Sequence, residues 1–343
     1  MEYENSLEIY RINIALIRRL TRVVGADILR PNYRPNIRTL RTLTFVIIYF
    51  GCSFYTFWYY SSDYIQILKT LAPLGIGLQG LYKLYNAVIQ REFFIAQEHN
   101  LDQFHQKNKH HPRKKLITKR MAQTYTVNKL LLAAYAFTIA GFGFYPLYYY
   151  VIYREKALAL AVLIPGIDWE SNVGYAITVV FHFSLLTLAL TGITAADSAI
   201  LAFIANLTTL VEVFKGSLQE INNLLEAPVR DVEAIRQKTK EIFAEHYAII
   251  RYQLELDKNY FTLNFVQVTT SVCSLAIHMF LCYMINYLPG YGFMIGALFQ
   301  LLEFCLLGTI YTVQKLIPTF YEKMLKLSVC LRVADLRLLV PSD

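Results

Sequence analysis

The sequence predicts an all-α fold, a polytopic bundle of transmembrane helices with its N-terminus in the cytoplasm. Three observations carry this. Of 343 residues, 55% are hydrophobic and only 17% charged, with a mean hydropathy of +0.36; soluble domains carry about 25% charged residues, so a water-facing surface is under-supplied. Six stretches approach the roughly 20 apolar residues needed to cross a hydrocarbon core. Basic residues gather in alternate connections between them, as retention of Lys and Arg on the cytoplasmic side demands.

The first expected span covers residues 42–60 and is uncharged. The second, 64–89, holds Lys69, Lys83, Pro73 and three glycines. Both lysines sit near its ends, where long stems can snorkel to the headgroups. The third, 130–152, has Pro146 near its end, which predicts a kink. The fourth begins at Val173 and meets no charge before Asp197. The fifth and sixth are 260–288 and 291–314.

Charge placement orients the bundle. Residues 1–41 hold eight Arg; 90–128 hold eight Lys or Arg, including Arg113, Lys114 and Lys115; 210–259 hold seven, and the tail from 315 holds five. The opposite connections, 61–63, 153–172 and 289–290, hold only Arg154 and Lys156. The split is 28 against two. A net charge of +8 therefore reads as membrane topology and lipid contact, with no nucleic-acid partner. No signal peptide opens the chain, because 1–41 is polar and Arg-rich. Of the five cysteines, Cys52, Cys273, Cys282 and Cys305 fall in apolar runs and Cys330 in the basic tail. None lies on the outer side, so no structural disulfide is expected. The sequon at Asn206 falls at the cytoplasmic end of the fourth span and reads as chance.

The fourth helix is expected to run on into the cytoplasm. Leu207, Leu210, Phe214, Leu218, Ile221 and Leu225 recur at helical spacing among polar residues, and Pro228 ends the segment. Asp231 is placed to cap a second amphipathic helix with Ile235, Ile242, His246, Ile249 and Gln253 on one face. The two helices are expected to pack together. The organisation is then an N-terminal segment (1–41), four membrane helices (42–209), cytoplasmic amphipathic helices (210–259), two more spans (260–314) and a tail (315–343).

No nucleophile elbow, P-loop, dinucleotide fingerprint or zinc spacing occurs, so no catalytic residue, metal or cofactor is assigned and the chain reads as a non-enzyme. His99, His105, His110 and His111 share one basic connection, which reads as a solvated loop. His182 and His278 stand alone in apolar helices and read as hydrogen-bonded packing residues. Glu303, near the middle of the sixth span, is either a polar packing contact or part of a wet cavity. Asp197 reads as a carboxylate near the cytoplasmic headgroups.

Aromatics make up 15% of the chain, with 26 Tyr and 22 Phe. Phe142, Phe144, Tyr145, Tyr148, Tyr149 and Tyr150 crowd the outer half of the third span. Tyr175, Phe181 and Phe183 come from the outer half of the fourth, and Tyr291 and Phe293 open the sixth. Such a cluster either anchors the bundle at the interface or lines a pocket for a small volatile or lipid-like ligand.

The organisation resembles the insect odorant receptors. Ile164-Pro165-Gly166-Ile167-Asp168-Trp169-Glu170 and then Gly174-Tyr175-Ala176-Ile177 are similar to the Pro-Gly-aliphatic-Asp segment and Gly-Tyr before the fourth helix of dipteran members. Leu302-Glu303-Phe304-Cys305-Leu306-Leu307-Gly308-Thr309 resembles their Glu-Phe-Cys-x-x-Gly stretch. The resemblance covers most of the chain. It implies a ligand-specific subunit in the plasma membrane of sensory neurons, joined with a co-receptor subunit in a heterotetrameric, odorant-gated, non-selective cation channel. It implies a pocket for a small volatile hydrophobic ligand among the second, third, fourth and sixth helices, with Leu74, Leu78, Phe142, Tyr145, Tyr149, Ile177 and Phe181 as the ligand-binding candidates. It also implies a cytoplasmic anchor, part of which the two amphipathic stretches match, and a seventh, pore-lining helix.

No further 20-residue apolar run follows Phe320-Tyr321-Glu322-Lys323, so the chain is expected to be cut short before that helix. Two readings of this stay open, a shortened gene model or transcript and a non-conducting remnant. Among rivals, a G-protein-coupled receptor conflicts with the N-in orientation and the absent outer-loop cysteine pair. A secondary transporter lacks its inverted repeats. A gustatory receptor shares the topology and stays open.

Overall fold

The computed structural model describes residues 5–27, 29, 33–110, 114–228 and 231–338, and beyond Val313 the helical backbone alone. Among the described residues there are eight α-helices and no strand: α1 (Ser6–Val24), α2 (Ile37–Tyr59), α3 (Tyr64–Ile89), α4 (Arg91–Lys107), α5 (Lys114–Ile152), α6 (Asn172–Glu226), α7 (Val232–Ile285) and α8 (Leu288–Leu338). Five, all but α1, α3 and α4, are long and apolar enough to cross a membrane. The all-α transmembrane bundle expected from composition is what the chain forms.

α3 covers the residues expected of the second span but falls short in hydropathy, and its side chains show why. Thr70, Gln79, Lys83 and Asn86 are all buried, so its polar positions face the protein interior and only the remainder must be apolar. This corrects the snorkelling expectation for Lys83. Its ammonium meets the Asp197 carboxylate at 2.5 Å, with the two side chains 4% and 0% exposed. Asp197 is likewise no headgroup carboxylate but the buried partner of that pair. Lys69 is half-buried, its ammonium 5.4 Å from the Tyr287 ring centre.

The polar N-terminal segment hides a helix. α1 starts where Asn5 accepts from the Glu8 amide, and it ends at Gly25 with φ +78°, a left-handed stop that glycine adopts without strain. A Cβ at Gly25 would also lie 2.2 Å from the Thr39 amide nitrogen. Ile9, Asn13, Ile14, Ile17, Thr21 and Val24 recur every three or four residues and are buried. Asn13 Oδ1 accepts from Asn128 Nδ2 of α5 at 2.8 Å. Arg11 pairs with Asp102 of α4 at 2.8 Å, and Arg18 with Glu98 at 3.1 Å. The Arg11 guanidinium holds the Asp102 carboxyl below the usual carboxylate range.

The basic connection at 90–128 is therefore not a solvated loop. α4 occupies its first half, and α5 begins well before the expected third span. His105 is fully buried, with Nδ1 3.2 Å from Ser6 Oγ and its ring 4.9 Å from that of Tyr10. His99 meets Gln103 at 2.9 Å. His111 and Arg113 lie outside the described residues. α5 continues helically through Pro146.

The chain divides into two compact units, 1–203 with 259–305, and 204–258 with 306–343. α6 runs unbroken for 55 residues, as the apolar periodicity beyond Asp197 predicts. α7 differs from expectation. The amphipathic stretch after Asp231 and the following span are one 54-residue helix, because no Gly or Pro interrupts 232–285. Asp231 caps it by accepting from the Ala234 amide at 3.0 Å. In the second unit the two amphipathic faces meet. Leu207, Phe214, Leu218 and Ile221 on α6 and Ile242 and Ile249 on α7 are buried, Phe214 and His246 rings lie 5.7 Å apart, and Lys238 pairs with Glu220 at 2.5 Å. Asn206 is fully buried in α6 and unavailable as a glycan acceptor.

Candidate functional site

The first unit contains a cavity of about 180 Å³. Its walls are almost entirely apolar, which is what a site for a small hydrophobic molecule requires. Phe45 and Tyr49 of α2, Phe142 of α5, Leu185, Leu186 and Ile193 of α6 and Phe293 of α8 form most of one part. There Phe142 and Phe293 pack with ring centres 4.0 Å apart. Ile17 of α1 and Phe94 of α4 line the other part, so both helices overlooked in the polar segments help to close it. Gly77 lets α3 approach α2 closely: a Cβ there would lie 2.6 Å from the Tyr49 ring.

One wall is polar. α3 presents Gln79, Lys83 and Asn86 to the cavity, α5 presents Tyr135, α7 presents Ser271 and Ser274, and α8 presents Gln300. The Tyr135 hydroxyl donates to the second oxygen of Asp197 at 3.1 Å, so the carboxylate is held between Lys83 and Tyr135. Ser271 donates to Gln300 Oε1 at 3.2 Å and accepts from Gln79 Nε2 at 2.9 Å. Glu303, one turn beyond Gln300, feels both Asp197 and Lys83 electrostatically. It belongs to this buried polar group and is absent from the cavity lining.

The α5–α6 connection roofs the cavity. Ala159, Leu160, Val162 and Leu163 are buried, and Leu160 lines the void. Side chains of four helix positions tie its backbone. Thr56 Oγ1 accepts from the Leu163 amide at 2.8 Å, Thr70 Oγ1 donates to the Ala161 carbonyl at 2.6 Å, His182 Nε2 donates to the Val162 carbonyl at 3.0 Å, and the Tyr175 hydroxyl donates to the Ala157 carbonyl at 3.1 Å. The Pro-Gly-Ile-Asp segment then turns tightly into α6. Gly166 has φ +75°, and a Cβ on Gly174 would stand 1.9 Å from the Asp168 carbonyl oxygen, so only glycine fits that crossing. His182 and His278 are both fully buried. His278 Nδ1 lies 2.7 Å from the Ser274 carbonyl.

The seven ligand-binding candidates do not all converge. Phe142 lines the cavity. Leu74 and Phe181 are partly buried against the same apolar cluster. Tyr145 and Tyr149 pack against one another with tilted rings, centres 4.9 Å apart, half-buried and off the cavity lining. Leu78 and Ile177 are 44% and 46% exposed; they sit on the outer surface of the first unit, because their positions on α3 and α6 turn away from the void. Sequence reasoning missed Tyr49, Leu160, Leu186 and the polar wall. The spacing of Gln79, Lys83 and Asn86, four and then three residues apart on an otherwise apolar helix, was the available signal for that wall.

Five membrane-length helices, a buried ion pair and a largely apolar cavity among the helices define the chain as a multi-span membrane protein. A family model described as 7tm Odorant receptor matches residues 63–315, about three-quarters of the chain, and the chain belongs to that insect receptor family. Putative odorant receptor 83c of Drosophila melanogaster is 21% identical over 314 residues, which cover 86% of this chain and 78% of the relative. The fold is shared with the insect olfactory receptor OR5 of Machilis hrabei, at a TM-score of 0.69 and 14% identity over 90% of this chain and 81% of that one. The same receptor in complex with eugenol gives a TM-score of 0.68, 15% identity and coverage of 90% and 83%.

Proposed function

We propose that this chain is the ligand-specific subunit of an odorant-gated, non-selective cation channel. In this reading it binds small volatile apolar molecules in the cavity and works with a co-receptor subunit in the plasma membrane of sensory neurons. The observation that carries the ligand half is the cavity itself, apolar on most sides and walled by Tyr49, Phe142 and Phe293. Burial of an apolar ligand there contributes roughly 25 cal/mol per Å² removed from water. Family membership supports the channel half. Of the seven candidates, Phe142 contacts the ligand directly, Leu74 and Phe181 back the wall, and the Tyr145–Tyr149 pair borders the outer end.

The test is whole-cell recording from cells expressing this chain with a co-receptor, the co-receptor alone and this chain alone, over an odorant panel that includes eugenol. An odorant-specific current is expected only from the pair. Gly296 lines the cavity from α8, and the nearest atom to a Cβ built there is Thr138 Cγ2 at 4.0 Å. Gly296→Leu therefore fills the void without a backbone clash and is expected to abolish the response while surface expression persists. A response that survives Gly296→Leu unchanged places the ligand elsewhere.

A further inference from the structure

Gln79 lies in the middle of the polar wall, its side chain 1% exposed. Its amide nitrogen is fully engaged with α7, at 2.7 Å from Thr270 Oγ1, 2.9 Å from Ser271 Oγ and 3.4 Å from the Gln267 carbonyl. These neighbours fix which end of the carboxamide is which. A carbonyl oxygen only accepts. The Thr270 hydroxyl already donates to the Val266 carbonyl, and the Ser271 hydroxyl to Gln300 Oε1. All three can only receive a hydrogen from Gln79, so its NH2 faces α7 and its oxygen does not.

That oxygen, Oε1, has no hydrogen-bond partner among the described residues. Roughly nine in ten buried polar groups are paired in native interiors, and an unmet acceptor carries its desolvation cost without return. Asn86 Nδ2, on the same face of α3, is also without a partner and also lines the cavity. Asn86 stands two turns further along, past the Lys83–Asp197 pair, whereas Gln79 lies two residues from Gly77, which stands against the Tyr49 ring. A molecule seated against Tyr49 therefore meets Gln79 first.

We infer that the Gln79 carboxamide oxygen is a polar anchor for the ligand. The cavity then selects compact apolar molecules carrying one neutral O–H or N–H donor, alcohols and phenols above all, over ethers and hydrocarbons of the same shape. A protonated amine is disfavoured, because a single neutral carboxamide oxygen does not offset the desolvation of a buried charge. This rests on the cavity being the ligand site, as proposed above. Only a donor satisfies Oε1; an ether placed there leaves two acceptors facing one another.

The experiment uses the full chain purified into lipid nanodiscs and three matched pairs: 4-ethylphenol with 4-ethylanisole, 1-hexanol with 1-methoxypentane, and cyclohexylmethanol with methoxycyclohexane. Apparent affinities come from ligand-dependent thermal shifts, corrected for uptake by empty discs. At least one hydroxyl member is expected to bind about tenfold more tightly than its ether, the scale of one buried hydrogen bond. Gln79→Met, similar in volume and lacking the acceptor, is expected to bring that ratio close to one. A wild-type ratio near one for every pair that binds overturns the anchor without any variant. So does a preference that survives Gln79→Met. Gly296→Leu separates the two proposals: loss of both members of a pair leaves the cavity standing whatever Gln79 does. Unchanged binding in Gly296→Leu, or no binding of any pair to wild type, removes the cavity and the anchor together.

Discussion

Replacing Lys83 by Met tests the energetics of the buried charge group most directly. Lys83 and Asp197 are almost fully buried and 2.5 Å apart, and the Tyr135 hydroxyl holds the other carboxylate oxygen. At an effective dielectric of about 20, unit charges 4 Å apart attract by about 4 kcal/mol. Removing one partner of a buried pair costs about 3–5 kcal/mol, because the survivor is left charged and unmatched. Lys83→Met leaves Asp197 buried with only the Tyr135 hydroxyl, and Asp197→Asn leaves Lys83 buried without its counter-charge. Both are expected to lower thermal stability. The double variant Lys83→Met/Asp197→Leu should recover much of the loss, as apolar replacement of whole buried pairs often does. The assay is the midpoint temperature of the detergent-purified chain by fluorescence-detected size exclusion. Equal midpoints for Lys83→Met and wild type, or a double variant no better than the worse single one, would refute the reasoning.

Four further outcomes are expected. Gly174→Ala forces a Cβ against the Asp168 carbonyl oxygen and should sharply reduce folded protein at the cell surface. Gly141→Ala, with nothing within 4 Å of the added atom, should be neutral or stabilising by about 0.5–1 kcal/mol. Phe142→Ala should raise the half-maximal odorant concentration at least tenfold and cost about 3–5 kcal/mol of stability, while Leu78→Ala and Ile177→Ala, on the outer surface, leave the concentration unchanged; equal shifts in all three would show that the cavity is not selective. Epitope tags at the N-terminus and beside Lys114 should be reached by antibody only after permeabilisation, given the 28-to-two division of basic residues, and labelling of intact cells at either would reverse the topology.

Much of the bundle was legible because membrane spans declare themselves by length and apolarity, and α2 and α6 follow their expected spans closely. The amphipathic continuation of α6 was equally clear from Leu207, Phe214 and Ile221. α1 was not, since its four Arg residues mask a stripe that only a 3.6-residue period reveals, although Asn5 and Gly25 marked its ends. The join within α7 was missed because a change from amphipathic to apolar composition looks like a boundary while the backbone passes through it. At the site, the aromatic content was readable but its direction was not. Phe142 and Tyr145 are three residues apart, yet only Phe142 lines the cavity. The partnership of Lys83 with Asp197 spans 114 positions, which no local pattern records.

Four hydrogen bonds tie the roof to helix side chains through its own main chain: the Ala157, Ala161 and Val162 carbonyls and the Leu163 amide. Main-chain groups are the same whatever residue carries them. The side chains that the roof turns inward, such as Leu160, are thus uncoupled from the bonds that hold it in place. Substitution there can reshape the cavity in single steps while these bonds stay intact. A receptor built this way can drift from one receptive range to another without passing through an unfolded intermediate sequence.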